Sequence, residues 1–503
     1  MCRHGREVRP VGGPMRSRSI LSTYNTLVVI MVGAVIGGLL VPFMRVARST
    51  TSTTRTGGAN TPVSAAAGAT ASAQDGAQAA TAAEGGGQAG APGAGGSSGG
   101  GSGSSGSAAG TQGQGANGPG VSDSQIKIGV GILDIGAAKD LGFNFDIGDQ
   151  QARYNALIAA QNAKGGINGR QIVPDFRVVN ATDEASKQAA CVAWTQDVHV
   201  FTVFVTTQFS PAAQVCVIGQ GATPLFMADG IDSAYYASGM LYTSQPNDNR
   251  ILRDQAAYLI QQGSLVGKKI GVLSGDGADQ VAVEDTLVPA LAQAGFTVAD
   301  TEVIPGDISG TQKTSIAISN FKAAGVDFVI IAINVVLAGP FVQSADRAGF
   351  RPGYAISDFN NEINDQVASY YPDSFEGTIG LSNHDFAEYR AGNPPPPADQ
   401  ACLDRVHPVD PKVLPSTNSA FEVAMEECGI FDAWVAAATN AGPTLNADTL
   451  RAGVEAIGPT QIAGVYDGSF GPGKHDGVDN VRQVAWHKSC GCWQIAGDIR
   501  TMQ

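Results

Sequence analysis

Ile126-Lys-Ile-Gly-Val-Gly-Ile-Leu133 is an almost wholly apolar run closed by a Gly-containing loop, and it reads as a buried strand. The period then changes. Ala, Leu and Ile recur at helical spacing over 148–163, and Asn162-Ala-Lys-Gly-Gly-Ile-Asn-Gly-Arg170 ends that helix in a glycine turn. Next come a strand at 172–179, a helix at 183–197 with Thr182 as its N-cap, a strand at 198–205, a helix at 211–219 and a short strand at 223–227. The alternation restarts with helices at 250–262, 281–294, 311–324 and 338–348 and strands at 269–273, 297–304, 328–333 and 354–357. Strands alternating with helices predict parallel α/β sheets covered on both faces. Residues 121–503 are too many for one such core, so two lobes are expected.

What precedes this region has a different character. Residues 19–44 carry no charge, and Leu27-Val-Val-Ile-Met-Val-Gly-Ala-Val-Ile-Gly-Gly-Leu-Leu-Val-Pro-Phe-Met44 is just long enough to cross a hydrocarbon core. Five arginines precede it, at 3, 6, 9, 16 and 18, which favours an amino terminus inside the cell. A cleaved signal peptide is the competing reading, but no small-x-small site follows Phe43 directly. Residues 51–120 contain 21 Gly and 18 Ala, with no aromatic residue, Leu or Ile. Such a segment buries too little apolar area to offset its ordering entropy and is expected to be a disordered spacer. The resulting plan is a basic cytoplasmic tail at 1–19, a transmembrane anchor at 20–44 and a Gly/Ala/Ser linker at 45–120. An extracytoplasmic folded domain follows.

Charge and motifs exclude several functions. The chain has 31 Lys+Arg against 45 Asp+Glu, and 42 of those acids lie in 121–503. That acidity argues against nucleic acid, whose phosphates demand Lys and Arg. No Gly-x-Ser-x-Gly elbow, phosphate loop or His-x-x-x-His pair occurs, so neither an enzyme nor a metal site is expected, and no cofactor is implied. Cys2 stands before the anchor. The other six are even in number, as disulfides in an oxidising compartment require. Proximity favours Cys191 with Cys216, Cys402 with Cys428 and Cys490 with Cys492. A redox or metal role for Cys490-Gly-Cys492 is the alternative.

Several pieces, in order, resemble one family. Val121-Ser-Asp-Ser-Gln-Ile-Lys-Ile-Gly-Val130 is similar to the opening strand of the type I periplasmic binding proteins, in the leucine/isoleucine/valine-binding branch that serves ABC transporters. Ala163-Lys-Gly-Gly-Ile-Asn-Gly-Arg170 resembles the end of their first helix. Tyr242-Thr-Ser-Gln-Pro-Asn-Asp248 resembles their first interlobe crossing, Gly325-Val-Asp-Phe-Val-Ile-Ile331 a strand of lobe two, and Phe375-Glu-Gly-Thr-Ile-Gly380 the return crossing. The similarity spans 124–500. It implies two Rossmann-like lobes joined by three crossings, with a ligand cleft between them. Lobe one is then expected at 121–245 and 377–475, and lobe two at 246–376 and 476–503.

Ligands of parallel α/β sheets sit beyond the carboxyl ends of the strands. That rule nominates Asp134; Thr206, Thr207, Gln208 and Ser210; Ala228 and Asp229; Asp276 and Asp279; Asn334; and Asp358, Asn360 and Glu362. The resemblance implies that Thr206, Thr207 and Ser210 hold a ligand carboxylate and that Asp358 or Glu362 holds an ammonium. Ser210 also fits a cap for the helix from Pro211, and Asp276 and Asp279 fit a solvated loop. The sequence departs from the family pattern: the Pro-Leu-Ser-Gly-Pro run of the first loop is missing, Ala-x-Thr reads Ala228-Asp-Gly230, and Asp279 or Gln280 stands where an aromatic is usual. An acid at 229 repels a carboxylate, so cationic, polyhydroxylated and peptide-like ligands stand beside an amino acid. The expected partners are a small solute, an ABC permease, and the membrane through the anchor. An anchored sensor or ligand trap is the alternative. Thr207→Ala and Asp358→Ala are expected to weaken binding and leave the unliganded melting temperature nearly unchanged.

Overall fold

A computed structural model describes residues 116–503 apart from 137–144, 208, 231–232, 307, 360–362, 364 and 416–417. The expected tail, anchor and most of the linker lie outside these residues. The end of the linker does not: Asn446 Nδ2 donates to the Ala116 carbonyl at 2.9 Å and the Gly118 N–H to the Leu445 carbonyl at 2.7 Å. Residues 116–120 are therefore part of the folded domain, because their backbone groups find partners there. Among the described residues no helix is long and apolar enough to cross a membrane.

The first sheet holds β1 (Gln125–Asp134), β2 (Gln171–Asn180), β3 (Thr202–Val205), β4 (Leu225–Met227) and β5 (Leu241–Thr243), all parallel, in the order β2-β1-β3-β4-β5. The second holds β6 (Ile270–Gly275), β7 (Val298–Ile304), β8 (Phe328–Ala332), β9 (Gly353–Ser357) and β10 (Ile379–Ser382). Beyond a two-stranded ribbon of β11 (Gly458–Thr460) and β12 (Gly468–Phe470), the chain adds β13 (Asn480–His487) and β14 (Cys492–Thr501) to that sheet. Its order is β14-β13-β10-β9-β8-β6-β7. β13 runs antiparallel to β10 and to β14, so this sheet is mixed rather than wholly parallel.

The glycine turn after the first helix, Gln150–Ala163, has a physical cause. Gly165, Gly166, Asn168 and Gly169 all have positive φ, and a Cβ on Gly166 would stand 1.9 Å from the Arg170 carbonyl oxygen. The turn buries Ile167 and lets Asn168 Nδ2 donate to the Gly442 carbonyl, at the end of the long helix Ser419–Asn440. Arg170 donates to the carbonyls of Ser122 and Pro443, clamping β1 to the same helix end. The helix Glu184–Val192 is capped by Asp183, which accepts from Ala185 N–H; Thr182, the expected cap, instead donates its hydroxyl to Asn180 Oδ1.

The first lobe packs around Phe204, with Tyr154, Phe226, Phe431 and Trp434 as ring neighbours. The second encloses Tyr371, Phe375, Trp486 and Trp493. Burial of side chains this large contributes roughly 1.5–3 kcal/mol each. Cys191–Cys216, Cys402–Cys428 and Cys490–Cys492 form disulfides.

The chain passes between lobes at 244–247, 383–385 and 476–479. The return passage falls after β10, not at Phe375–Gly380 as the resemblance implied. The reason is that 379–382 pairs with both β9 and β13, which fixes it in the second sheet. The first and third passages run side by side: Thr243 N–H donates to the His475 carbonyl and Gly477 N–H to the Thr243 carbonyl. Asp476 holds them together, accepting from Asn247 N–H at 2.9 Å and from Arg250 at 3.1 Å. The second passage is braced by 464–466, with Tyr466 N–H donating to the Asn383 carbonyl at 3.0 Å.

Candidate functional site

The carboxyl ends of the strands in both sheets converge on the passages, and polar side chains from all three sources are buried together there. From the first lobe come Thr206 and Thr207 after β3 and Asp229 after β4. Both hydroxyls are buried without a hydrogen-bond partner among the described residues, and so is Asp229 Oδ1, although Asp229 as a whole is partly exposed. Burial pushes the Asp229 carboxyl up to about 6, against the opposing pull of its own backbone N–H, of His384 and of the Thr207 hydroxyl. Thr207 and His384 thus both face Asp229, with no well-formed hydrogen bond joining Thr207 to it.

The passages contribute Gln245, Asp248, Asn383 and His384. The amide atoms of Gln245 and Asn383 have no partner among the described residues, and neither residue exposes more than 1 % of its surface. Asp248 opens the helix Asp248–Gln261; its Oδ2 is buried and unpartnered, and burial together with Asp279 and Asp229 holds its carboxyl well above the usual range. Asp279, in the first turn after β6, is buried over Gly275, where a Cβ would meet its Oδ2 at 2.1 Å. Only glycine fits beneath that carboxylate.

Asp358, after β9, is anchored by one oxygen. Its Oδ2 accepts from the Ser382 hydroxyl and the Asn383 N–H, both at 2.7 Å, and from His384 Nδ1 at 3.2 Å, while Oδ1 is buried with no partner among the described residues. His384 stacks on Phe386, and its Nε2 has no partner among the described residues. Burial works against its protonation, but Asp358, Glu426 and Asp385 outweigh that and raise its pKa. Buried polar groups nearly always find partners, so this many orphans in one place make it the candidate site.

The remaining residues nominated from sequence fall out differently. Gln208, Asn360 and Glu362 lie outside the described residues. Ser210 caps the helix Pro211–Gln214, accepting from Ala213 N–H at 3.2 Å. The Ala228 carbonyl accepts from Gln245 N–H at 2.9 Å, which ties the β4 loop to the first passage. Asp276 is exposed and accepts from Gly306 N–H at 2.9 Å, a local loop contact. The Asn334 carbonyl accepts from Leu337 N–H at the start of the helix Val335–Arg347. Asp134 bonds Gly136 N–H and Asn180 Nδ2 and lines a recess of about 540 Å³ with Asp146, Asp149 and Lys412. Gln245, Asp248, Asn383 and His384 were not nominated from sequence. The available signal was that a crossing peptide must line any cleft between the lobes it joins, and Gln245 and Asp248 lie in the recognised crossing. No group of three or more His, Cys, Asp or Glu among the described residues could hold a metal ion.

A family model described as "Periplasmic binding protein" matches residues 125–489. The chain belongs to the periplasmic binding protein family. Its fold is also that of solved members. The fatty acid ABC transporter substrate-binding protein from Thermomonospora curvata is 15% identical, with a TM-score of 0.57 over 77% of this chain and 95% of that one. A solute-binding protein of an ABC transporter from Rhodopseudomonas palustris BisB5, in complex with 3,4-dihydroxybenzoic acid, is 11% identical, with a TM-score of 0.56 over 76% of this chain and 98% of the other. The branched-chain amino acid transporter substrate-binding protein LivJ from Streptococcus pneumoniae, in complex with isoleucine, is 15% identical, with a TM-score of 0.53 over 75% and 100%. No curated protein matches the chain. In a periplasmic binding protein the buried groups of both lobes and the passages between them stand where hinge closure encloses a solute.

Proposed function

We propose that the protein captures a small polar solute between its lobes and delivers it to an ABC permease from an extracytoplasmic position, held at the membrane by residues 20–44. One observation carries the solute-binding reading. Thr206, Thr207 and Asp229 of one lobe, Asp358 of the other, and Gln245, Asp248, Asn383 and His384 of the passages all present buried polar atoms without partners among the described residues. Leaving a polar group unsatisfied costs about 1–3 kcal/mol, so such a set persists where a ligand supplies the missing bonds. A thermal-shift screen of the purified chain against amino acids, sugars, amides and polyamines tests this. A ligand at about 100 times its Kd adds about 2.7 kcal/mol. If no compound raises the melting temperature, the reading fails.

The Gly- and Ala-rich linker favours a second reading, a tethered sensor or ligand trap without transport. A spacer of about 70 residues has an r.m.s. span of roughly 45 Å, which lets a domain sample the space above a membrane. Ligand-dependent co-purification of a permease separates the two. Mass spectrometry of the membrane fraction tests the anchor: peptides preceding Leu27 should be found there, and a released product beginning near 45–60 would rule it out.

A further inference from the structure

We propose that the solute is a cation without a carboxylate, an amine or guanidinium compound. This rests on the cleft reading above. Three acids from three different elements meet at the site: Asp229 on the loop after β4, Asp248 at the start of the first passage helix and Asp279 after β6. Asp248 feels both of the others. Neither Asp229 nor Asp248 has a Lys or Arg partner among the described residues. Arg250 and Lys474 are engaged with Asp476 and Asp479, and Arg500 with Asp254, while His384, when protonated, faces Asp229.

Acids alone would make no site. Here they stand with side chains that expose less than a tenth of their surface and lack hydrogen-bond partners among the described residues: Thr207 beside Asp229, and Thr206 and Gln245 on the adjoining loop and passage. The hydroxyl and amide oxygens of those neutral groups can accept from an ammonium or guanidinium. A ligand carboxylate would instead have to approach Asp229, where the resemblance had implied that the neighbouring hydroxyls hold one. At a few ångströms in a poorly solvated site, like charges repel strongly. An ammonium or guanidinium replaces that repulsion with attraction and supplies the missing counter-charge.

The groups facing Asp229 set a pH dependence. They are Asp248, His384 and the buried Tyr236 phenol, which also faces Asp248 and stays neutral because burial holds its pKa well above the usual range, with Asp279 facing Asp248 in turn and Asp358, Glu426 and Asp385 facing His384. With the Asp229 carboxyl pushed up to about 6, it is mostly neutral at pH 5 and charged at pH 7.5. The acids around His384 raise its pKa, so its imidazolium competes with a ligand cation for Asp229 wherever it stays protonated. Affinity for an amine should therefore rise about tenfold from pH 5 to pH 7.5, with release of protons on binding near pH 6.

The test is calorimetry on the purified full-length chain with butane-1,4-diamine, agmatine and spermidine, and separately with isoleucine, 3,4-dihydroxybenzoate and laurate. Binding of an amine with the stated pH dependence is expected. Asp229→Asn and Asp248→Asn should each weaken it by at least tenfold and flatten the pH profile, with unliganded melting temperatures no lower than the parent's. Silence of all three amines overturns the inference. A carboxylate probe that binds, weakened by Thr207→Val, overturns the cation class and leaves the cleft reading standing. Amine binding that none of these substitutions changes overturns the cleft reading itself.

Discussion

His384 Nδ1 lies 3.2 Å from Asp358 Oδ2, and the same oxygen takes the Ser382 hydroxyl and the Asn383 N–H at 2.7 Å each. One carboxylate oxygen thus fixes the return passage to the end of β9, and the other is left for the cleft. Asp358 is therefore a structural anchor as well as a candidate ligand contact. Asp358→Ala should strand three buried donors and destabilise the unliganded protein by about 3 kcal/mol, each unmet group costing about 1–3 kcal/mol. This departs from the sequence-based expectation of an unchanged melting temperature. A chemical denaturation curve of the unliganded variant checks it, and an unchanged midpoint would refute the anchoring role.

Asp229→Asn should have the opposite effect on stability. The carboxyl stands at about 6 in the folded protein, above its ordinary value of 3.8. A raised carboxyl is favourable to the fold only while protonated, so its contribution is lost as pH rises from about 4 through 6. Above that range the ionised form costs on the order of 2 kcal/mol, allowing for its partial exposure. The Asn variant should therefore melt higher at pH 7.5 and match the parent near pH 4. Retention of a destabilising acid is the usual mark of a site shaped by binding rather than by stability. Equal melting temperatures at both pH values would contradict this.

The sequence was informative where the fold is periodic. Strand–helix alternation from Ile126 to Ser357 is carried by short apolar runs, and each becomes a strand of one of the two sheets. After β10 that rhythm stops. Four helices follow, Phe386–Arg390, Pro397–Val406, Ser419–Asn440 and Ala447–Glu455, and they pack on elements far away in sequence. Pro397, the last of the four prolines after Asn393, is the first residue of one of them, where a missing N–H is harmless. The site divides the same way. Thr207, Asp229, Asp279 and Asp358 follow strands, so the strand-end rule reached them. Asp248 and His384 sit on passages, where only the three-dimensional return of the chain brings them together.

Arg153 is the test of the first lobe's core. It is fully buried, and its guanidinium holds Glu427 at 2.6 Å and Asp410 at 2.6 Å. These contacts join the helix Gln150–Ala163 to the helix Ser419–Asn440. Arg153→Met leaves two enclosed acids without a counter-charge and should cost about 3–5 kcal/mol. Adding Glu427→Gln should recover part of that loss. A double-mutant cycle by denaturant titration measures it, and strictly additive effects would show that the pair does not interact.

The three disulfides should differ in access. Cys402 and Cys428 are wholly buried and Cys191 and Cys216 nearly so, whereas Cys490 is exposed. Exchange begins with thiolate attack on a reachable sulfur. Mild reductant should open Cys490–Cys492 first, placing label on those two residues alone in peptide mass spectrometry of the native protein. Opening either buried bridge then removes a cross-link over a loop of about 25 residues, worth roughly 3 kcal/mol on the chain-entropy model. Early label on Cys402 or Cys428 would show that the lobe opens more readily than its packing indicates.

Thr207→Val separates binding from folding most cleanly. The Thr207 hydroxyl is buried beside Asp229 and makes no well-formed hydrogen bond among the described residues, so the unliganded protein already bears much of its desolvation. Valine keeps the branched shape and removes the orphan group. Losing an unmet polar atom is neutral or stabilising, by up to about 1–2 kcal/mol. In the liganded protein the same hydroxyl is available to the solute, and a charge-assisted hydrogen bond lost there costs about 1.5–3 kcal/mol, or roughly 10- to 150-fold in affinity. The melting temperature without ligand should hold or rise while the ligand-induced shift shrinks. If both fall together, Thr207 is a core residue whose partner the fold itself supplies, and the first lobe's share of the cleft must be sought on other loops.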